Sequence, residues 1–147
     1  MGEDLAGTNV GRSYSLAATS IAIFTFTLFF LYPRFLNGEA SAVLFQVSIV
    51  VMGVATFSFV LSSFYYYCAA VGRIEESDRA NHSRSADRFW LLGCILLLLD
   101  PSLILFTIGL SGVGSVWLGF WILYLIVVIR HFPKIQTART DSDTANG

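Results

Sequence analysis

Four apolar stretches, Tyr14 to Tyr32, Ser41 to Val71, Phe89 to Leu110 and Val113 to Ile129, take up most of this 147-residue chain. Each is at or above the roughly 17 to 25 residues a helix needs to cross about 30 Å of hydrocarbon. They predict an all-α integral membrane protein. Its four transmembrane helices, at about 14–32, 41–71, 89–110 and 113–129, would form an up-down-up-down bundle in one domain over 1–136. The polar residues from 137 to 147 read as a disordered cytoplasmic tail.

Composition supports this. Only 13% of residues are charged and 55% are hydrophobic, whereas an ordinary soluble domain carries about 25% charged residues. Four crossings leave too little chain for a soluble catalytic or nucleic-acid-binding domain. A net charge of -1 gives no electrostatic reason for a polyanion partner, so nucleic acid is not expected. Glu3 and Asp4 stand where a cleaved leader would be basic, and the first helix is expected to be retained. Met1-Gly2 opens a myristoylation pattern, but Ala6 occupies the position that needs Ser or Thr.

Basic residues set the expected orientation, because Lys and Arg mark cytoplasmic loops and acidic residues contribute little. Arg12 precedes the first helix; Arg73, Arg79, Arg84 and Arg88 lie between the second and third; Arg130, Lys134 and Arg139 follow the fourth. Arg34 alone falls on the other side. Both termini and the 73–88 loop are therefore expected in the cytoplasm, with the bilayer being a plasma or inner membrane. Asn81-His82-Ser83 matches a glycosylation acceptor, yet on this topology it faces the wrong compartment.

Local signals refine the layout. Proline disfavours helix in the residue before it, so Tyr32-Pro33-Arg34 should end the first helix, and Leu36-Asn37-Gly38-Glu39 should turn the chain. At 1.5 Å per residue the second segment reaches roughly 46 Å, more than a bilayer core, and must tilt or project. Its Tyr65-Tyr66-Tyr67 run suits an interface. In the 73–88 loop Glu75 and Arg79 are spaced to pair on a helix, which would extend the second helix before a turn at Asn81. This loop is a solvated connector or, on a sharper reading, a docking surface for a cytoplasmic partner. Ser111-Gly112-Val113-Gly114-Ser115 is expected to form a tight hairpin between the third and fourth helices.

Within lipid the informative residues are small or polar. Ser48, Ala55 and Ser62 recur every seven residues and mark a close-packing face, with Ser115 and Gly119 as a weaker pair. That first face is expected to join copies in a homo-oligomer. Asp100 sits mid-helix, where an aspartate costs about 2.5 to 3.5 kcal/mol on the translocon scale, a cost outweighed by many apolar residues at about 0.3 to 0.6 kcal/mol each. Gly93, Leu96, Leu97, Ile104 and Thr107 share its face, which should point inward. Pro101 removes a backbone donor and should kink the helix, exposing a carbonyl near Leu97 that Ser102 is placed to satisfy. With the hairpin centred near Gly112 and Val113, Asp100 would be level with Tyr124. Asp100, Tyr124 and Trp121, with Thr25, Thr27 and Thr56 as further contributors, are thus the expected ion or proton site, set in a hydrated crevice. The competing reading is a hydrogen-bonded carboxyl that only fixes helix packing.

Cys68 and Cys94 both fall toward the cytoplasmic side, where thiols stay reduced. His82 and His131 lie at helix ends and cannot pair as haem ligands within the membrane. No metal and no cofactor are expected. An enzyme is not expected either, since no second catalytic group accompanies Asp100 at depth. Two functions remain. One is a subunit of an ion channel or transporter, oligomeric because four helices are few to enclose a path. The other is a non-transporting membrane subunit that assembles with, or scaffolds, a larger partner.

Overall fold

Two glycines determine where the chain reverses. Gly38 (φ 72) and Gly109 (φ 81) occupy the left-handed region that side chains with a Cβ rarely adopt. At each, the last helical carbonyls are closed in the same way. Glu39 N–H donates to the Arg34 carbonyl and Gly38 N–H to Phe35; Leu110 N–H donates to Leu105 and Gly109 N–H to Phe106. This is the paired closure of a glycine-terminated helix. In the computed structural model these turns lie between α1 (Gly2–Leu36) and α2 (Ala42–Ala70) and between α3 (Glu76–Thr107) and α4 (Ser111–Ala145). The structure describes residues 2–70 and 76–145, with side chains over 8–70 and 78–131.

The protein is all-helical, and all four helices are long and apolar enough to cross a membrane. The spans are Thr8–Leu36, Ala42–Ala70, Asp78–Thr107 and Ser111–His131, with mean hydropathy of 1.8 for the first and 2.2 for the others. The chain thus fits a multi-pass membrane protein.

Several boundaries depart from the sequence expectation. α1 continues through Pro33 to Leu36, so that proline bears on the last turn without ending the helix. Asn81, expected at a turn, lies inside α3, and most of the 73–88 segment forms the first turns of that helix; Glu75, half of the expected pair with Arg79, lies outside the described residues. The reversal between α3 and α4 is Ile108-Gly109-Leu110, and the segment expected as a hairpin, 111–115, is already helix. α4 also continues to Ala145, where a disordered tail was expected from 137; the sequence from Lys134 to Ala145 contains no Gly or Pro to stop it.

Helices pack in chain order: α1 on α2, α2 on α3, α3 on α4, with α2 against α3 the most extensive contact and α3 against α4 the least. Each pair is antiparallel. Ser13 meets Ser62 and Ser20 meets Thr56 across α1 and α2; Ser48 meets Asp100 and Ser62 meets Ala86 across α2 and α3; Ser102 meets Gly114 and Trp121 meets Ile95 across α3 and α4. α4 leaves Val116, Phe120, Leu123 and Val127 exposed, as suits a helix bathed in lipid on most sides.

The small-residue stripe of α2 is used inside the chain. Ser48, Ala55 and Ser62 are all 0% exposed, and Ser62 Oγ donates to the Ala86 carbonyl at 2.9 Å. Small side chains allow α3 to approach α2, so this face cannot also join copies, and the expectation that it does is corrected. Where α3 comes nearest, Gly93 faces the ring of Phe59, and a Cβ added there would lie 2.8 Å from it. On α4 the expected pair Ser115 and Gly119 is exposed. The close approach falls at Gly114, where a Cβ would stand 3.3 Å from the Phe106 ring, because the earlier turn rotates a different face of α4 onto α3.

Candidate functional site: a buried carboxyl between two helices

Asp100 is the one carboxylate among the fully buried side chains of the described residues, 1% exposed. Its helical stripe explains why it faces inward: Gly93 and Thr107, two turns to either side, are buried too. The carboxylate meets α2, where Ser48 Oγ donates to Oδ1 at 2.6 Å. Oδ2 has no hydrogen-bond partner. A buried carboxylate oxygen without a donor is expensive, so this atom is the chemically unfinished point of the core.

The next polar residue faces the other way. Ser102, 1% exposed, donates to the Gly114 carbonyl of α4 at 2.9 Å, so it does not satisfy the carbonyl near Leu97 that Pro101 leaves without its usual donor. α3 runs continuously through Pro101. Thr107 Oγ1 donates to the Leu103 carbonyl, and the Thr107 carbonyl accepts from Ser41 N–H at the start of α2. Asp100 is thus held from α2, with Ser102 fastening the same stretch of α3 to α4.

None of the residues expected to share its site is hydrogen-bonded to Asp100 among the described residues; its partner is Ser48, which entered the sequence reading only as a packing residue. Because α4 starts at Ser111, the bonds Ser102 to Gly114 and Trp121 to Ile95 set the register. The level of Asp100 on α4 then falls near Val116, and Tyr124 lies about 12 Å further along. Tyr124 is half-buried and makes no hydrogen bond among the described residues. Trp121 Nε1 donates to the Ile95 carbonyl at 2.9 Å, which serves helix packing. Thr25 is exposed, on the outer side of α1, whereas Thr27 is buried. Thr56 bonds Ser20 at 2.7 Å and the Met52 carbonyl at 2.9 Å, two turns of α2 from Ser48. The hydrated crevice is corrected as well, since Asp100 is sealed by its neighbours.

The Ser48 partnership was open to counting. Gly38 and Gly109 end helices at the same side of the molecule, and Ser48 and Asp100 stand at similar distances from them along antiparallel neighbours. A hairpin misplaced by a few residues hid the pairing.

α2 carries further hydroxyls toward its other end. Ser13 and Ser62 Oγ atoms are 3.4 Å apart, Ser58 donates to the Val54 carbonyl, and Ser63 Oγ is buried without a partner. Of these, Ser62 ties α2 both to Ser13 of α1 and to the Ala86 carbonyl of α3, the form of helix adhesion that works in lipid. Met52 and Phe59, both 0% exposed, interrupt them, so Asp100 and Ser48 form an isolated polar site in an apolar layer. Among the described residues no cluster of His, Cys, Asp and Glu could hold a metal ion, and Cys68 and Cys94 are free thiols.

Architecture and site together define a four-helix chain of multi-pass membrane type with a buried acid. No family model matches it, and no curated protein and no solved structure is significantly similar to it.

Proposed function

We propose that the protein is a subunit of an ion channel or transporter whose responsive group is the Asp100 carboxyl, with Ser48 as its partner in the closed state. The observation that carries this is Asp100 Oδ2, fully buried and without a donor. A group kept only for packing would do better as an amide or an apolar residue, since an unsatisfied buried oxygen carries the full desolvation penalty. A proton or a cation would complete it. Reaching the site requires α3 to part from α2, and Pro101 is the natural bending point because one backbone hydrogen bond is already missing there. A path between helices also needs more wall than four helices in a row supply, so the working unit is an oligomer. It lies in a plasma or inner membrane with both termini inside.

Two measurements test the proposal. Reconstituted into liposomes, the protein should dissipate an imposed proton or cation gradient, and in lipid it should run as an oligomer. A strict monomer without flux would overturn it. Orientation is tested by cysteine labelling after Cys68 and Cys94 are changed to Ser. On an intact-cell preparation, Asn37→Cys should react with an impermeant reagent and Asn81→Cys only after permeabilisation; the opposite pattern would reverse the topology.

A second reading is favoured by α4. Its main contact is with α3, and it shows a row of large apolar side chains outward, a face that suits a non-transporting subunit joined to a larger partner. Absence of flux together with a second polypeptide that copurifies in defined stoichiometry, and that α4 substitutions release, would favour this reading over transport.

A further inference from the structure

Asp100 Oδ2, buried without a partner, is one of two unfinished polar groups in this part of α3. The other is the Leu97 carbonyl, three residues back, which lacks its usual backbone donor because Pro101 has no N–H. The neighbouring hydroxyls complete neither. Ser102 donates to Gly114 of α4, Thr107 to the Leu103 carbonyl, and Ser48 to the other carboxylate oxygen. Elsewhere in the chain a mid-helix hydroxyl turns back onto the preceding turn, as Thr56 does to Met52 and Ser58 to Val54. A carboxylate cannot do the same, because both of its oxygens are acceptors. One proton on Oδ2 makes that oxygen a donor, and the vacant acceptor lies in the direction such side chains take.

A metal cation fits the same atoms poorly. Hard cations take about six or more oxygen ligands. The oxygens at hand are those of the carboxylate, the Leu97 carbonyl and the Ser48 hydroxyl; even with Thr27 of α1, which the Ser20 to Thr56 contact places at a similar level, the set is short of that. Water cannot readily supply the rest, since Asp100 is 1% exposed and Met52 and Phe59 of α2 are 0% exposed. A proton needs neither further ligands nor volume. No other titratable side chain faces the carboxyl: Cys94 stands about 9 Å away along α3 and Tyr124 about 12 Å beyond its level on α4, and neither α1 nor α2 buries a charged residue among the described residues.

We infer that the ion this site takes is a proton and not a metal cation, held on Asp100 Oδ2 and shared with the Leu97 carbonyl, while Ser48 fixes the opposite oxygen. This rests on the reading of Asp100 as the responsive group and names its ion. On uptake an O–H bond forms at Oδ2 and the carboxylate charge is neutralised. The proton comes from water admitted when α3 parts from α2, and returns to water by the same opening.

Infrared difference spectroscopy of the full chain in lipid, parent minus Asp100→Asn, isolates the C=O stretch of the un-ionised Asp100 carboxyl, and its growth over a pH series gives the proton affinity. The affinity should be the same in choline, sodium, potassium and magnesium chloride at equal ionic strength. A metal ion bound at the carboxylate would instead lower it by up to about tenfold for each tenfold rise in metal concentration. Pro101→Ala returns a backbone donor to the Leu97 carbonyl without breaking the helix, and should weaken proton binding about tenfold, the order of one hydrogen bond. Competition by a metal ion, no such band at any pH, or an unchanged affinity in Pro101→Ala would each overturn the inference. Liposomes separate it from the transport proposal. Sodium or potassium flux that Asp100→Asn abolishes, without proton flux, would overturn the proton assignment and leave transport standing. Absence of all flux, with proton binding indifferent to metal ions, would support the assignment and end the transport reading.

Discussion

Asp100→Asn should fold and assemble like the parent while losing at least about tenfold of any proton- or cation-driven flux, the loss of a single charged contact at the site. The reason lies in what the substitution keeps. An amide oxygen still accepts from Ser48 Oγ, so the 2.6 Å contact to α2 survives. The amide nitrogen takes the place of Oδ2, the atom without a partner, and cannot carry a negative charge or exchange a proton. A carboxyl that merely glued two helices would be replaced by Asn without consequence. Asp100→Leu separates the remaining cases. It relieves an insertion cost of about 2.5 to 3.5 kcal/mol, and Ser48, left alone, can turn back to a carbonyl of its own helix; the variant should be expressed at least as well as the parent and be inactive. Flux measured in liposomes at several pH values decides the matter. If Asp100→Asn conducts like the parent throughout, Asp100 holds helices together and the transport proposal fails.

What the sequence made legible depended on how far each inference travelled from its residues. Helix count and the core of every span follow from apolar run length, a local property, and α2 was readable almost to its ends: 41–71 expected, Ala42–Ala70 observed. The inward face of Asp100 was legible for the same reason, since the small and polar residues one and two turns away lie on the same stripe of one helix. Partners were not. Placing Tyr124 opposite Asp100 required the exact position of the α3 to α4 turn, and among three glycines in the segment 109–114 the sequence does not say which takes the left-handed conformation. Gly109 does, and the shift carries Tyr124 away from the site. Thr25 failed differently: depth along α1 was right in principle, but depth says nothing about which side of the helix faces α2. The heptad Ser48, Ala55 and Ser62 was correctly read as a contact face, while its partner was not, because small residues report close approach without saying whether the approaching helix belongs to the same chain.

Gly93→Ala should reduce stability by about 1 to 3 kcal/mol, the range for overpacking a close contact, although the same substitution in an open helix position would raise it by about 1 kcal/mol through helix propensity. The sign turns on Phe59. A Cβ at Gly93 would stand 2.8 Å from the Phe59 ring, with two further ring atoms at 2.9 Å, and the ring is 0% exposed in the middle of the α2–α3 contact, so it has little room to retreat. Relief by separating the helices would stretch the bonds on either side of this point, Ser48 to Asp100 and Ser62 to Ala86. The test is a double-mutant cycle in bicelles with reversible unfolding as the readout. In a Phe59→Ala background the space opposite Gly93 is empty, and Gly93→Ala should there become stabilising, a reversal that a general effect of glycine on the helix cannot produce. Gly93→Ala that stabilises the parent chain would mean that α3 does not lie as close to Phe59 as this geometry requires, and the seal that keeps Asp100 in an apolar layer would have to be sought elsewhere.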